Sequence, residues 1–73
     1  MTFKVIGSNS QGNSFLVNDD LMIDIGFNYE TIKLYTGKVE YLLLTHKHSD
    51  HLNLTTLRKL YVNVKPVISV GNG

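Results

Sequence analysis

The sequence predicts a small α+β domain in which two helices cover one face of a mixed β-sheet. Two observations predict this class. The first three apolar segments are separated by short runs of turn-forming residues, which is typical of an antiparallel meander. The later segments change between helical periodicity and apolar runs of strand length, which predicts two crossover connections. The expected order is β-β-β-α-β-α-β in a single domain, residues 1–73.

The composition is that of a globular protein of modest size. Apolar residues make up 42% of the 73 positions and charged residues 18%, and the formal net charge is +1. This balance excludes a disordered segment and gives no basic surface that would require nucleic acid or an anionic membrane as partner. The longest apolar runs are too short to span a bilayer, and the amino-terminal residues do not form a signal peptide, so we expect a cytoplasmic protein. There is no cysteine, which excludes disulfides and thiolate metal sites.

The first half of the sequence predicts three strands. Their expected bounds are Thr2 to Ile6, Ser14 to Val17 and Leu21 to Ile25. Turn-forming residues fill the interval from Gly7 to Asn13, which indicates a loop. Its backbone N–H groups could approach a phosphate, since glycines permit close approach, and the alternative is a long hairpin loop without a ligand.

The second half predicts two helices, each followed by a strand. A short helix is expected over Asn28 to Thr36, followed by a buried strand over Val39 to Leu44. Leucines recur at intervals of three and four from Leu54 onward, which predicts an amphipathic helix with Asn53 as its N-cap. The last strand is expected over Val67 to Val70.

All three histidines of the chain lie within six positions, between the predicted buried strand and the second helix. They are His46, His48 and His51, with Asp50 among them. Imidazole and carboxylate are ligands that Zn²⁺ takes when no thiolate is offered, and Mn²⁺ or Fe²⁺ accepts the same set. If the strand continues in extended form, His46 and His48 share a face and can converge on one ion. Asp50 and His51 fall where the chain turns into the helix, so we expect them to point toward a second ion.

The run Thr45-His46-Lys47-His48-Ser49-Asp50-His51 resembles the T-H-x-H-x-D-H signature of the metallo-β-lactamase-fold hydrolases. The preceding segment Leu21 to Gly26 is similar to the hydrophobic strand of that family that ends in Asp and Gly. The segment Gly7 to Ser14 resembles the G-S-x-S-x-G-N-S opening of a subgroup linked to phosphodiester substrates and nucleases. The resemblance covers essentially the whole chain and implies the amino-terminal half of an αββα sandwich.

The resemblance also implies a role for each matching residue. His46 and His48 would bind a first metal ion, most often Zn²⁺, and Asp50 and His51 a second. Asp50 would also help to hold or deprotonate the attacking water, which makes it the candidate catalytic residue. Asp24 and Thr45 would orient the ligand segment by hydrogen bonds. The alternative for Asp24 is a carboxylate that caps the following helix.

The sequence departs from the family after the signature. The family pattern requires two further histidines and a bridging aspartate, whereas no His, Asp or Glu follows His51. We therefore expect a homodimer or higher oligomer in which a second chain contributes ligands, acting on phosphodiester bonds in nucleic acid or a cyclic nucleotide. The alternative is a shortened module that binds a protein partner, for example as a small phage-type inhibitor. A third possibility is an amino-terminal fragment without activity of its own.

Overall fold

A computed structural model of the chain describes residues 1–9, 12–45 and 52–71. Five strands form one mixed sheet in the order β1-β2-β3-β4-β5. Their bounds are β1 Phe3–Asn9, β2 Gly12–Val17, β3 Leu21–Ile23, β4 Tyr41–Leu44 and β5 Val67–Val70. The first three strands pair antiparallel, and β3/β4 and β4/β5 pair parallel. The predicted α+β class and element order are confirmed for the described residues.

The first hairpin is longer than the sequence predicts. The ladder between β1 and β2 continues through the pairs Gly7–Ser14, Ser8–Asn13 and Asn9–Gly12, with an irregularity between Val5 and Gly7. The expected loop from Gly7 to Asn13 is therefore wrong over its described residues, since their backbones pair with each other. Ser10 and Gln11 lie outside the described residues. A phosphate-binding loop is not favoured there, because backbone groups that pair in a ladder do not reach a ligand.

Two strand bounds also differ from the expectation. β3 ends at Ile23, because Asp24 has φ 63 and leaves the extended conformation. β4 starts at Tyr41 instead of Val39, because the Val39 amide donates to the Thr36 carbonyl in a turn.

The two helices carry side-chain caps at their amino ends. Helix α1, Tyr29–Ile32, begins after Asn28, whose side chain accepts from the Thr31 amide, and it continues as a 3-10 turn, Lys33–Tyr35. Helix α2, Leu54–Asn63, begins after Asn53, whose side chain accepts from the Thr56 amide. The predicted N-cap at Asn53 is confirmed. No helix in the described ranges is long and apolar enough to cross a membrane.

The core lies between one sheet face and the two helices. Pairing places Leu16, Met22 and Leu42 side by side on this face, and all three are buried together with Ile32 of α1 and Leu60 of α2. The helices therefore cover one face, as predicted. The opposite face, which we call the open face, consists of Phe3, Val5, Ser8, Asn13, Phe15, Val17, Leu21, Ile23, Tyr41, Leu43, Val67 and Ser69.

Candidate functional site

The four predicted metal ligands lie outside the described residues. They are His46, His48, Asp50 and His51, and they fall between the described ranges 12–45 and 52–71. Within those ranges and residues 1–9, no group of three or more His, Cys, Asp or Glu residues could hold a metal ion. The described structure shows how the chain is held immediately before and immediately after this segment.

The residue that precedes the segment is held by Asp24. One carboxylate oxygen, Oδ1, accepts from the Thr45 amide at 2.8 Å, and the other, Oδ2, accepts from the Thr45 hydroxyl at 2.7 Å. The Asp24 side chain is 2% exposed, so both bonds are made away from water. Hydrogen bonds to a buried carboxylate are stronger than bonds between neutral groups. The backbone and side chain of Thr45 are therefore fixed at the end of β4.

The backbone of Asp24 is itself fixed by two neighbours. Its amide donates to the Leu43 carbonyl at 2.9 Å, and its carbonyl accepts from the Ser14 hydroxyl at 2.7 Å. Ser14 is fully buried on the core face of β2. Aspartate is one of the few residues that adopt the left-handed conformation without large strain. This conformation ends β3 and places the carboxylate beside Thr45.

The residues that follow the segment are held by Ile25, the residue next to Asp24. Ile25 forms an isolated parallel bridge with Leu52, and the Asn53 amide donates to the Ile25 carbonyl at 2.9 Å. Asn53 also caps α2, so the start of this helix is tied to the end of β3. Two consecutive residues, Asp24 and Ile25, thus contact the described residues that flank the predicted ligand segment, Thr45 before it and Leu52 and Asn53 after it.

A second buried hydroxyl supports the start of α2. The Thr56 side chain is fully buried, and its hydroxyl donates to the Phe27 carbonyl at 2.5 Å. The Phe27 ring lies against the first hairpin: a Cβ added to Gly12 would be 2.8 Å from the ring and from the Gly26 carbonyl oxygen, and one added to Gly7 would collide with the ring. Both hairpin glycines are therefore explained by packing.

The structure places the Asp24 carboxylate in direct contact with Thr45. Asn28, and not Asp24, caps α1, so the alternative role of Asp24 as a helix cap is not observed. Sequence reasoning missed Ser14 and Thr56 as support for this region. Ser14 could have been found from the alternation of β2, because it shares the inward face with Leu16 and a polar residue there needs a partner. In the described residues, every buried side-chain nitrogen or oxygen has a hydrogen-bond partner.

The arrangement can hold a ligand segment in one orientation. Parallel pairing of β3 and β4 places their carboxyl ends at the same sheet edge, where loops of α/β sheets often bind ligands. Hydrogen bonds of this kind, behind metal ligands, orient imidazoles and carboxylates. Comparisons of the chain with protein-family models, with curated proteins and with solved structures give no match.

Proposed function

We propose that this protein is a metal-dependent hydrolase of the metallo-β-lactamase superfamily that acts on phosphodiester bonds. In this proposal the domain corresponds to the amino-terminal half of the αββα sandwich. The observation that supports it best is the pair of hydrogen bonds between the buried Asp24 carboxylate and Thr45, the residue directly before the His-x-His-x-Asp-His run. A buried carboxylate that binds Thr45 is expected if its role is to orient the metal ligands that follow in the sequence.

The donor set fits divalent metal ions of the zinc type. In the proposal His46 and His48 hold one ion, and Asp50 and His51 hold a second. Three imidazoles and a carboxylate suit Zn²⁺, and Mn²⁺ and Fe²⁺ accept the same donors. The chemistry that such ions supply is polarisation of a phosphoryl group and activation of water near neutral pH.

The protein residues have separate tasks in this proposal. Asp24 acts through Thr45 and keeps the start of the ligand segment in one conformation, so it is a positioning residue. The Ile25 carbonyl acts in the same way on Asn53 at the end of the segment. Asp50 is the group that would accept a proton from the attacking water.

One chain supplies four ligands, which is too few for two well-coordinated ions with an open position. A second copy of the chain is therefore part of the proposal, since it would double the ligand set. The competing function is a binding module that keeps the fold and acts on a protein partner. The absence of any His, Asp or Glu after His51 favours this competitor.

The test is the metal content per chain after purification without chelator, together with turnover of bis(p-nitrophenyl) phosphate in added Zn²⁺ or Mn²⁺. We expect bound metal and turnover in the wild type. In His46→Ala and in Asp50→Ala we expect a lower metal content and no turnover. Lys47→Ala and Ser49→Ala are matched controls in the same segment, and neither should lose metal, because Lys and Ser are poor ligands for these ions. Metal without turnover would favour the binding module, and absence of both would show the hydrolase proposal to be wrong.

A further inference from the structure

The open face is apolar across all five strands. Nine of its twelve residues are Phe, Tyr, Val, Leu or Ile, and the other three are Ser8, Asn13 and Ser69. Phe3, Val5, Tyr41 and Val67 are between 47% and 66% exposed. On the helix side, the residues of the central strands β2, β3 and β4 are buried in the core. An exposed apolar face of this kind on a sheet normally packs against another layer.

The area of this face is sufficient for a specific interface. Because a fully exposed aromatic side chain presents on the order of 200 Å², Phe3 and Tyr41 together leave roughly 200 Å² in water. On the same scale the whole open face exposes about 600 Å², which reaches the upper end for the largest apolar patch of a monomer. Two such faces packed together would bury at most about 1,200 Å², the lower limit of a standard interface.

The open face also has a protrusion at one side and a groove at the other. Phe3 on β1 stacks on Phe15 of β2, with ring centroids 5.9 Å apart, and is 58% exposed. A shallow cavity of about 410 Å³ lies toward β4 and β5, where Leu21, Tyr41 and Val67 contribute to its lining. The protrusion and the groove lie at the same level along the strands, because Phe3, Leu21, Tyr41 and Val67 belong to one row of paired residues.

We propose that the open face binds a second copy of this chain about a twofold axis parallel to the strands. This axis places β1 of each copy over β5 of its partner, so that each Phe3 enters the groove of the other copy. An axis perpendicular to the strands would place β1 over β1 and set the two protrusions against each other. The strands contribute no charged side chain to this face. Asp20, in the turn before β3, also contributes to the lining of the groove. Two twisted sheets pack in this way with their strands about 30° apart.

The proposed axis has a consequence for the candidate site. It keeps the strands of both copies pointing in the same direction, so the carboxyl ends of both β4 strands lie at one edge of the dimer. The two segments that follow Thr45 then start from the same edge. The interface itself does not depend on the proposed metal chemistry, so it is tested in EDTA, where a failure of the hydrolase proposal has no effect.

The first experiment is sedimentation equilibrium of the whole chain and of two valine variants. We expect a dimer for the wild type and an increase of at least about 100-fold in the dissociation constant for Val67→Arg, which places an unpaired charge in the interface. Val62→Arg is the matched control, since Val62 lies on α2, away from the open face, and is 72% exposed against 66% for Val67. A wild-type monomer at millimolar concentration, or equal weakening by both variants, would overturn the proposal.

The second experiment uses engineered cysteines, because the natural chain has none. Within one chain, Phe3 and Val67 are separated by four strand spacings, about 19 Å. Across the proposed interface they face each other between sheets about 10 Å apart, which a short bismaleimide cross-linker spans. We expect Phe3→Cys and Val67→Cys chains to form a mixed cross-linked dimer when combined with this reagent, and neither to form one alone. The cross-linking experiment also tests the proposed interface if Val67→Arg fails to fold. Cross-linking of Phe3→Cys with itself, or no mixed product, would refute the proposed axis.

Discussion

Replacement of Asp24 by asparagine tests the central contact of the candidate site. Asparagine keeps the volume of the side chain and tolerates the left-handed backbone at φ 63, so the variant removes the charge without backbone strain. Hydrogen bonds to a charged group contribute about 1.5–3 kcal/mol each. Because Asp24 makes two such bonds to Thr45, we expect Asp24→Asn to lower the free energy of unfolding by about 2 kcal/mol. For a domain of this size that corresponds to a fall of roughly 10 °C in Tm.

A double-mutant cycle with Thr45→Val isolates the contact. Valine removes the hydroxyl that donates to Asp24 Oδ2, so the effects of the two substitutions should overlap. We expect a coupling energy of about 1–2 kcal/mol, measured by urea unfolding in EDTA. Thr36→Val is the matched control, because its hydroxyl donates to the Lys33 carbonyl and shares no hydrogen bond with Asp24 in the described structure. Its effect should add to that of Asp24→Asn within about 0.5 kcal/mol.

The same variant separates folding from metal binding. If Asp24 positions the ligand segment, Asp24→Asn should weaken Zn²⁺ binding by about 10–100-fold in titration calorimetry at a temperature where the variant is folded. Thr36→Val should bind Zn²⁺ as the wild type does. An additive cycle between Asp24→Asn and Thr45→Val would refute the stabilising role of the contact. Unchanged Zn²⁺ affinity in a destabilised Asp24→Asn protein would refute the positioning role and leave a structural one.

Two further predictions concern the scaffold. Gly12→Ala should lower the free energy of unfolding by about 1–3 kcal/mol, because its Cβ would approach Phe27. Gly37→Ala is the control and should be neutral or slightly stabilising, since a Cβ at Gly37 meets nothing within 4 Å. Thermal melts of both variants check this, and equal effects would contradict the packing explanation. The hydrogen bond and charge of Lys33 hold the pKa of Glu30 below its usual range, so NMR titration of Lys33→Gln should show that pKa rise. A lowered folded-state pKa means that this stabilisation is present above the unfolded pKa of about 4.3 and is lost as the pH falls through the folded one.

The sequence was sufficient to predict the order of elements because each carries a local signal. The N-cap at Asn53, the apolar run that becomes β4 and the helical spacing after Leu54 all depend on residues a few positions apart. The end of α2 is equally local: Lys65 adopts φ 52 and Pro66 follows, so the helix cannot continue. The family resemblance gave Asp24 and Thr45 roles toward the ligand segment, but it did not predict their contact with each other. Their separation of 21 positions gives no local signal for that contact.

The missed features depend on distant contacts. The interval from Gly7 to Asn13 has the composition of a loop, yet its described residues pair as strands. The reason lies outside the hairpin, because the Phe27 ring covers the two glycines and the Asp24 carbonyl accepts from Ser14. Composition alone cannot show that small residues are required by an aromatic ring many positions later. The extent of the open face follows from the strand register, which the sequence alone does not show.

The change from antiparallel to parallel pairing connects the candidate site with the proposed interface. Because β3 and β4 run parallel, Asp24 at the end of β3 reaches Thr45 at the end of β4, and the predicted ligand segment starts at that edge. Because the same strands present Leu21, Tyr41 and Leu43 on the open face, a copy packed there about an axis parallel to them has its own β4 end at the same edge. The proposed dimer would therefore cover the open face and bring the two predicted ligand segments to one edge. Fewer Zn²⁺ ions per chain in a folded, monomeric Val67→Arg protein would show that metal binding depends on the dimer interface. An unchanged number of Zn²⁺ ions per chain would show that each chain binds metal alone.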